Sequence, residues 1–315
     1  MNLNPNFLNL FSDITIRAAI AAYSFVGLGD KNKADNSAVE VMRKSLNNLN
    51  IKGRIVIGEG ELDEAPMLYI GETVGKGIGD EIDIAVDPIE GTNFVAKNLP
   101  GGISVLAAAP KDQLFAAPET YMHKLVFSGE IENNALDLDF TVEQNFKNLA
   151  DSLNKNIEDI TICLLDRPRH KEIIDTAKKF KIKMKLISDG DVAGALLVTK
   201  KEKNIDLFLG IGGGPEGVIV ASAIDCYNYN FKGRFIFSTE EDKIRAKKMG
   251  IEDLNKKYDL KEIIKGDSIF SATGITSGDL VKGVKKQNNE FLTETLVTHK
   301  SQKIIKKIEK SIIIK

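Results

Sequence analysis

Glu81-Ile82-Asp83-Ile84-Ala85-Val86-Asp87-Pro88-Ile89-Glu90-Gly91-Thr92 reads as a strand running into a turn rich in oxygen donors. Ile82, Ile84 and Val86 recur with period two, so they share one face. The strand is expected to have a core side and to end at Asp87. Pro88 has a fixed φ and no N–H, which predicts the end of the sheet ladder there. Gly91 permits a tight reversal. Two carboxylates and a hydroxyl thus fall within six residues at a strand end. An all-oxygen donor set suits a hard cation such as Mg2+ or Mn2+ rather than zinc. The same hexapeptide also fits a plain turn in which Asp87 and Thr92 cap backbone groups.

Outward from this stretch, helical spacing alternates with short apolar strands, which argues for α/β layers. Ile14 to Phe25 reads as a helix. Val39, Met42, Leu46 and Leu49 line a second one, with Ser37 and Glu40 as a capping box at its start. Arg54 to Gly58 is a short strand, and Ile103 to Ala107 another. Thr141 and Gln144 mark a further helix start. The polar stretch Asn154 to Asp159 after that helix predicts a domain boundary, giving 1–154 and 155–315. Beyond it the pattern is βαβ. Strands are expected at Ile160–Leu165, Met184–Ile187, Ile205–Leu209 and Phe235–Phe237, and helices at Lys171–Phe180, Val192–Lys200 and from Pro215. The basic, isoleucine-rich stretch Gln302 to Lys315 is expected to dock as a terminal strand or helix.

A chain of 315 residues can bury a large core and hold two domains. Its net charge of −2 gives no electrostatic case for nucleic acid or an anionic membrane as partner. Cys163 and Cys226 fit neither a disulfide framework nor a zinc spacing. Ala18 to Leu28 is too short to span a bilayer and lacks a basic n-region, with Asp13 ahead of it and Arg17 at its edge, so a cytoplasmic protein is expected.

Other carboxylates gather at similar places. Asp35 is read before the second helix, where taken by itself it reads better as an N-cap. Glu59, Glu61 and Asp63 follow a strand in Gly58-Glu59-Gly60-Glu61-Leu62-Asp63, as a solvated loop or as ligands. Glu216 stands in the first turn of a helix after Gly210-Ile211-Gly212-Gly213-Gly214-Pro215, complementing its dipole. Asp35, Glu59, Asp87, Glu90 and Glu216 therefore all fall at strand ends or helix starts, where α/β folds place ligands. Gly212, Gly214 and Gly217 also satisfy the dinucleotide fingerprint, with Glu240 about twenty residues on, and raise an NAD(P)-dependent oxidoreductase as a rival. Glu216 weighs against it, since its charge would stand where the pyrophosphate docks.

With these residues in view, the chain resembles the class II fructose-1,6-bisphosphatases over nearly its whole length. The matching segments are Gly29 to Asn32, Ile57 to Glu72, Asp87 to Thr92, Arg167 to His170, Asp189 to Asp191, Gly210 to Gly217 and Phe270 to Thr276. The second and the last are specific to that class. The Asp87 hexapeptide alone marks the wider superfamily of lithium-sensitive, Mg2+-dependent sugar and inositol phosphatases. The resemblance implies a layered αβαβα fold with two α/β subdomains, a homo-oligomer of two or four chains, and hydrolysis of the 1-phosphate of fructose 1,6-bisphosphate. Some relatives also accept sedoheptulose 1,7-bisphosphate.

The resemblance further implies that Asp35, Glu59, Asp87, Glu90 and Glu216 bind two or more Mg2+ or Mn2+ ions. It places Glu90, Gly91, Thr92, Tyr121, Arg169, His170, Asp189, Gly190, Asp191 and Gly213 at the substrate. Lys171 completes a basic triplet with Arg169 and His170 that suits the distal phosphate, although it stands where some members carry an acidic residue. Thr92 is expected to orient the attacking water, with Asp63 or Glu61 taking its proton and Asp63 preferred. His123 and His299 are read as structural.

Overall fold

The structure, a computed structural model, describes residues 2–58 and 68–313. In chain order the first elements are α1 (Phe7–Tyr23), α2 (Lys31–Asn47), β1 (Ile51–Ile57), β2 (Thr73–Val74), β3 (Asp80–Glu90), α3 (Thr92–Ala96) and β4 (Ile103–Pro110). Next come β5 (Tyr121–Ser128), α4 (Val142–Leu153), β6 (Thr161–Leu165), α5 (Lys171–Lys179), β7 (Lys183–Ile187), α6 (Asp191–Leu196), β8 (Leu207–Gly213), α7 (Gly214–Ile224), β9 (Tyr229–Ile236), α8 (Glu240–Lys248), β10 (Tyr258–Asp259) and α9 (Leu260–Ile263). The last are β11 (Ile269–Gly274), β12 (Lys285–Gln287), β13 (Glu290–His299) and β14 (Ile304–Ile313). Two compact units result: Met1–Ala116 with Ile264–Lys315, and Ala117–Ile263. The boundary expected near residue 154 falls inside the second unit, because α4 on one side of it and β6 on the other share a core through Phe146, Leu149, Ile162 and Leu164.

The first unit is a mixed sheet in the order β2-β1-β3-β4-β11-β13-β12, with β14 also paired to β13. Only β1 and β3 run parallel among these pairs; the others are antiparallel. Phe7, Phe11, Ile14, Ala18 and Ala22 recur every three or four residues on α1, and Ala34, Ala38, Met42 and Leu46 do so on α2. These stripes bury against Ile82, Ile84 and Val86 of β3 and against Ile269 and Val297. The period-two reading of β3 therefore finds its core, but Asp83 and Ala85 on the other face are buried too. Arg54 answers the buried Asp83 with Nε at 3.0 Å and Nη2 at 2.8 Å from its Oδ1. The isoleucine-rich C-terminal stretch docks as β14, which turns Ile304, Ile308 and Ile312 toward the core.

Asp267 fastens three parts of this unit. It accepts from Leu3 N (2.8 Å), Ser301 N (2.8 Å) and Ser301 Oγ (2.9 Å), and pairs with His299 Nε2 at 3.0 Å. Burial pushes its pKa up, but these donors outweigh burial and hold it at about 2, against an ordinary 3.8. The stability it contributes is thus fully present above about pH 4 and is lost as the pH falls toward 2. Asp267→Asn is expected to lower unfolding free energy by roughly 2–4 kcal/mol at pH 7, read by urea titration. The loss should shrink as the pH approaches 2; a loss that stays constant with pH would contradict this role.

In the second unit the sheet order is β10-β9-β5-β8-β6-β7. The expected βαβ pattern appears as β6 parallel to both β7 and β8, whereas β8, β5 and β9 pair antiparallel. Leu125, Phe127, Leu207 and Leu209 face α4 and α5. On the opposite face Met122, Lys124, Phe208 and Phe235 meet α6 and α7. Both cores are therefore α/β layers built on mixed sheets.

Candidate active site

In the first unit the ladder does not stop at Pro88. Asp87 pairs with Val105 and Glu90 with Ile103, so β3 carries one extra residue between them. A bulge is where a proline without an N–H does least harm to a ladder, and it also re-aims the flanking side chains. Asp87 Oδ1 accepts from Ile89 N at 3.1 Å, closing the bulge. Gly91 then takes φ 81° and ψ 51°, a left-handed conformation that starts α3 with Thr92 as its first residue. Glu90 is buried and Asp87 half-buried, and one oxygen of each lies within 4.8 Å of the other. Residues 275 and 276, after β11, are tied to the residue before β4: Gly102 N donates to Thr276 Oγ1 at 2.8 Å, while Gly102 O accepts from Ile275 N at 2.8 Å.

Asp35 does not precede the second helix. The helix begins four residues earlier than Asp35, at Lys31, because the Asp30 side chain accepts from Lys33 N at 3.0 Å and serves as its cap. Ser37 and Glu40, read as a capping box, lie in the helix interior. Burial raises the pKa of the Asp35 carboxyl, as expected for an acid held away from solvent. Glu59, Glu61 and Asp63 lie outside the described residues.

The second unit assembles most of the expected substrate residues. Tyr121 opens β5, and the Arg169 guanidinium stands 4.8 Å from its ring centroid while Nε donates to Ile211 O at 2.9 Å. His170 is buried. Its Nδ1 lies 2.6 Å from Leu165 O, and its Nε2 accepts from Ile211 N at 2.7 Å. Those partners assign the proton to Nδ1 of a neutral ring, consistent with a pKa lowered by burial. Both ring nitrogens are therefore committed to backbone, and His170 pins the 165–170 turn to β8. Lys171 reaches Asp175 one helical turn on. Asp189 lies 3.7 Å from Arg167, and Gly190 at φ 82° starts α6 with Asp191 as its first residue. His123 is held neutral, its pKa pushed down to about 4 by burial, with Arg234 and His170 adding to it.

Lys124 was not among the residues singled out from the sequence. It is fully buried, and its Nζ donates to Asp191 Oδ2 and to Gly213 O at 2.7 Å. Its signal lay in the alternation Met122, Lys124, Val126, which puts a lysine on a strand's inward face. Glu216 sits in the first turn of α7, its pKa raised by burial while Lys124 pulls the other way. Gly212 and Gly213 belong to β8, and the Asp191 and Glu216 carboxylates occupy the space beside them. A dinucleotide pyrophosphate would meet two acids there, so the fingerprint Gly212, Gly214, Gly217 does not build its usual site.

Among the described residues no helix is long and apolar enough to cross a membrane. The family described as bacterial fructose-1,6-bisphosphatase, glpX-encoded, matches residues 6–312. Similar proteins include the fructose-1,6-bisphosphatase class 2 of Haemophilus influenzae, 42% identical over 313 residues, covering 95% of this chain and 93% of that one. The fructose-1,6-bisphosphatase 1 class 2 of Escherichia coli K12 is 41% identical with the same coverage. The Synechocystis protein named D-fructose 1,6-bisphosphatase class 2/sedoheptulose 1,7-bisphosphatase is 41% identical, covering 90% of each chain.

Proposed function

Because the chain belongs to the glpX-encoded family of bacterial fructose-1,6-bisphosphatases, we propose that it hydrolyses the 1-phosphate of fructose 1,6-bisphosphate with bound divalent cations. The match from residue 6 to 312 is the observation that carries this reading. The donor chemistry fits a hard cation: Asp87 and Glu90 bring carboxylate oxygens within 4.8 Å of each other, and Glu216 Oε2 is buried with no hydrogen-bond partner among the described residues. In this reading Asp35, Glu59, Asp87, Glu90 and Glu216 hold Mg2+ or Mn2+. Bound there, the cations would neutralise phosphate charge and make a water more acidic.

The protein's own groups do the rest. Thr92, fixed at the start of α3, orients the attacking water, and Asp63 takes its proton. Phosphoryl transfer passes through a loose transition state, so such positioning is most of the catalysis. Arg169, braced by Tyr121 and Ile211 O, offers a planar fork to the 6-phosphate, with Lys171 nearby in sequence. Asp189, Gly190, Asp191 and Gly213 line the sugar, and His170 contributes by holding the turn that carries Arg169. The name of the Synechocystis relative supports sedoheptulose 1,7-bisphosphate as a second substrate. A homo-oligomer in the cytoplasm completes the reading. The test is phosphate release from both bisphosphates with Mg2+ or Mn2+ and after EDTA. Release from neither, with retained NAD(P), would overturn it.

A further inference from the structure

The glycines between Gly212 and Gly217 give way to side chains from elsewhere in the second unit. A Cβ at Gly212 would overlap the Asp191 carboxylate, and one at Gly213 the Glu216 carboxylate. One at Gly217 would come within 2.6 Å of the Met122 sulfur and 3.2 Å of Lys124 Cδ. At the centre stands Lys124, none of whose surface reaches solvent. A buried ammonium persists only where it is paired. Here the partners are Asp191 Oδ2 and Gly213 O. The second carboxylate oxygen, Asp191 Oδ1, is buried and meets no hydrogen-bond partner among the described residues. A carboxylate accepts at both oxygens, so one side of Asp191 is spent on Lys124 and the other is kept for something else.

We propose that Lys124 is a positioning residue for the substrate: by engaging Asp191 Oδ2 and the Gly213 carbonyl, it presents Asp191 Oδ1 as the acceptor for a sugar hydroxyl. The inference rests on the reading that Asp191 meets the sugar. It also explains the glycine run, whose missing side chains make room for the lysine stem and the two acids. A lysine that only filled the core would act independently of Asp191. One that acts through Asp191 has no further effect once Asp191 can no longer do its work.

The test is a double-mutant cycle on fructose 1,6-bisphosphate at saturating metal, with Lys124→Met, Asp191→Asn and the pair. Each single variant is expected to raise KM about tenfold or more with kcat changed less than about threefold. The double variant is expected to match Asp191→Asn, and if Lys124→Met does not fold by itself, Lys124→Gln takes its place in the cycle. KM values that multiply in the double variant, or an unchanged KM in folded Lys124→Met beside a raised one in Asp191→Asn, would overturn the role of Lys124. An unchanged KM in Asp191→Asn would instead overturn the reading of Asp191 from which the proposal starts.

Discussion

Glu90→Gln is expected to lower kcat for fructose 1,6-bisphosphate by roughly a thousandfold, which corresponds to about 4 kcal/mol of transition-state stabilisation. The substitution keeps the shape of the side chain and removes one negative charge from a buried position on the bulge of β3. Gln remains an oxygen donor, but its neutral amide binds a divalent cation far more weakly than a carboxylate does. Backbone pairing of Glu90 with Ile103 does not involve the side chain, so thermal stability without metal should fall little. The discriminating readout is calorimetric titration with Mn2+: uptake should weaken by at least about tenfold. Turnover and Mn2+ uptake both at the level of the unaltered protein would remove Glu90 from the site.

Thr92→Val should reduce kcat by about 10²–10⁴-fold while KM changes little. Valine matches threonine in shape, and the left-handed turn at Gly91 and the backbone bond from Val95 N to Gly91 O stay as they are. What disappears is a hydroxyl at the first residue of α3. If the hydroxyl orients water, the effect falls on the chemical step and spares substrate affinity. Thr92→Ser, which restores the hydroxyl, should recover most of kcat. An unchanged kcat in the valine variant would end the water-orienting role.

Much of the local structure around the candidate site was legible in the residues themselves, because period-two patterns and turn residues are local signals. The alternation of Ile82, Ile84 and Val86 located β3, and Gly91 located the reversal. Pro88 misled in one respect: its missing N–H was read as the end of the ladder, whereas the chain inserts one extra residue and resumes pairing at Glu90. The start of α2 shows a similar ambiguity. Ser37 with Glu40 and Asp35 were read as its start, whereas Lys33 N donates to the Asp30 side chain, which caps the helix earlier.

What escaped were long-range pairings. β11 returns to β4 with Phe270 opposite Ala107, a partnership that no local pattern encodes. For that reason a boundary drawn at a polar linker could not anticipate a first unit made of both ends of the chain. Lys124 escaped for the opposite reason. A lysine on an inward strand position looks like a surface residue until the acid and carbonyl that pair with it are seen. The glycine run likewise carried a pattern that two chemistries share, and the carboxylates beside Gly212 and Gly213 separate them.

The most direct test of a metal-dependent sugar bisphosphatase is a phosphorus NMR time course on fructose 1,6-bisphosphate, with the protein stripped by EDTA and then resupplied with Mg2+ or Mn2+. Loss of the 1-phosphate signal alone, yielding fructose 6-phosphate and inorganic phosphate only after metal is restored, is the predicted result. Undiminished hydrolysis in EDTA, or accumulation of fructose 1-phosphate, would contradict it.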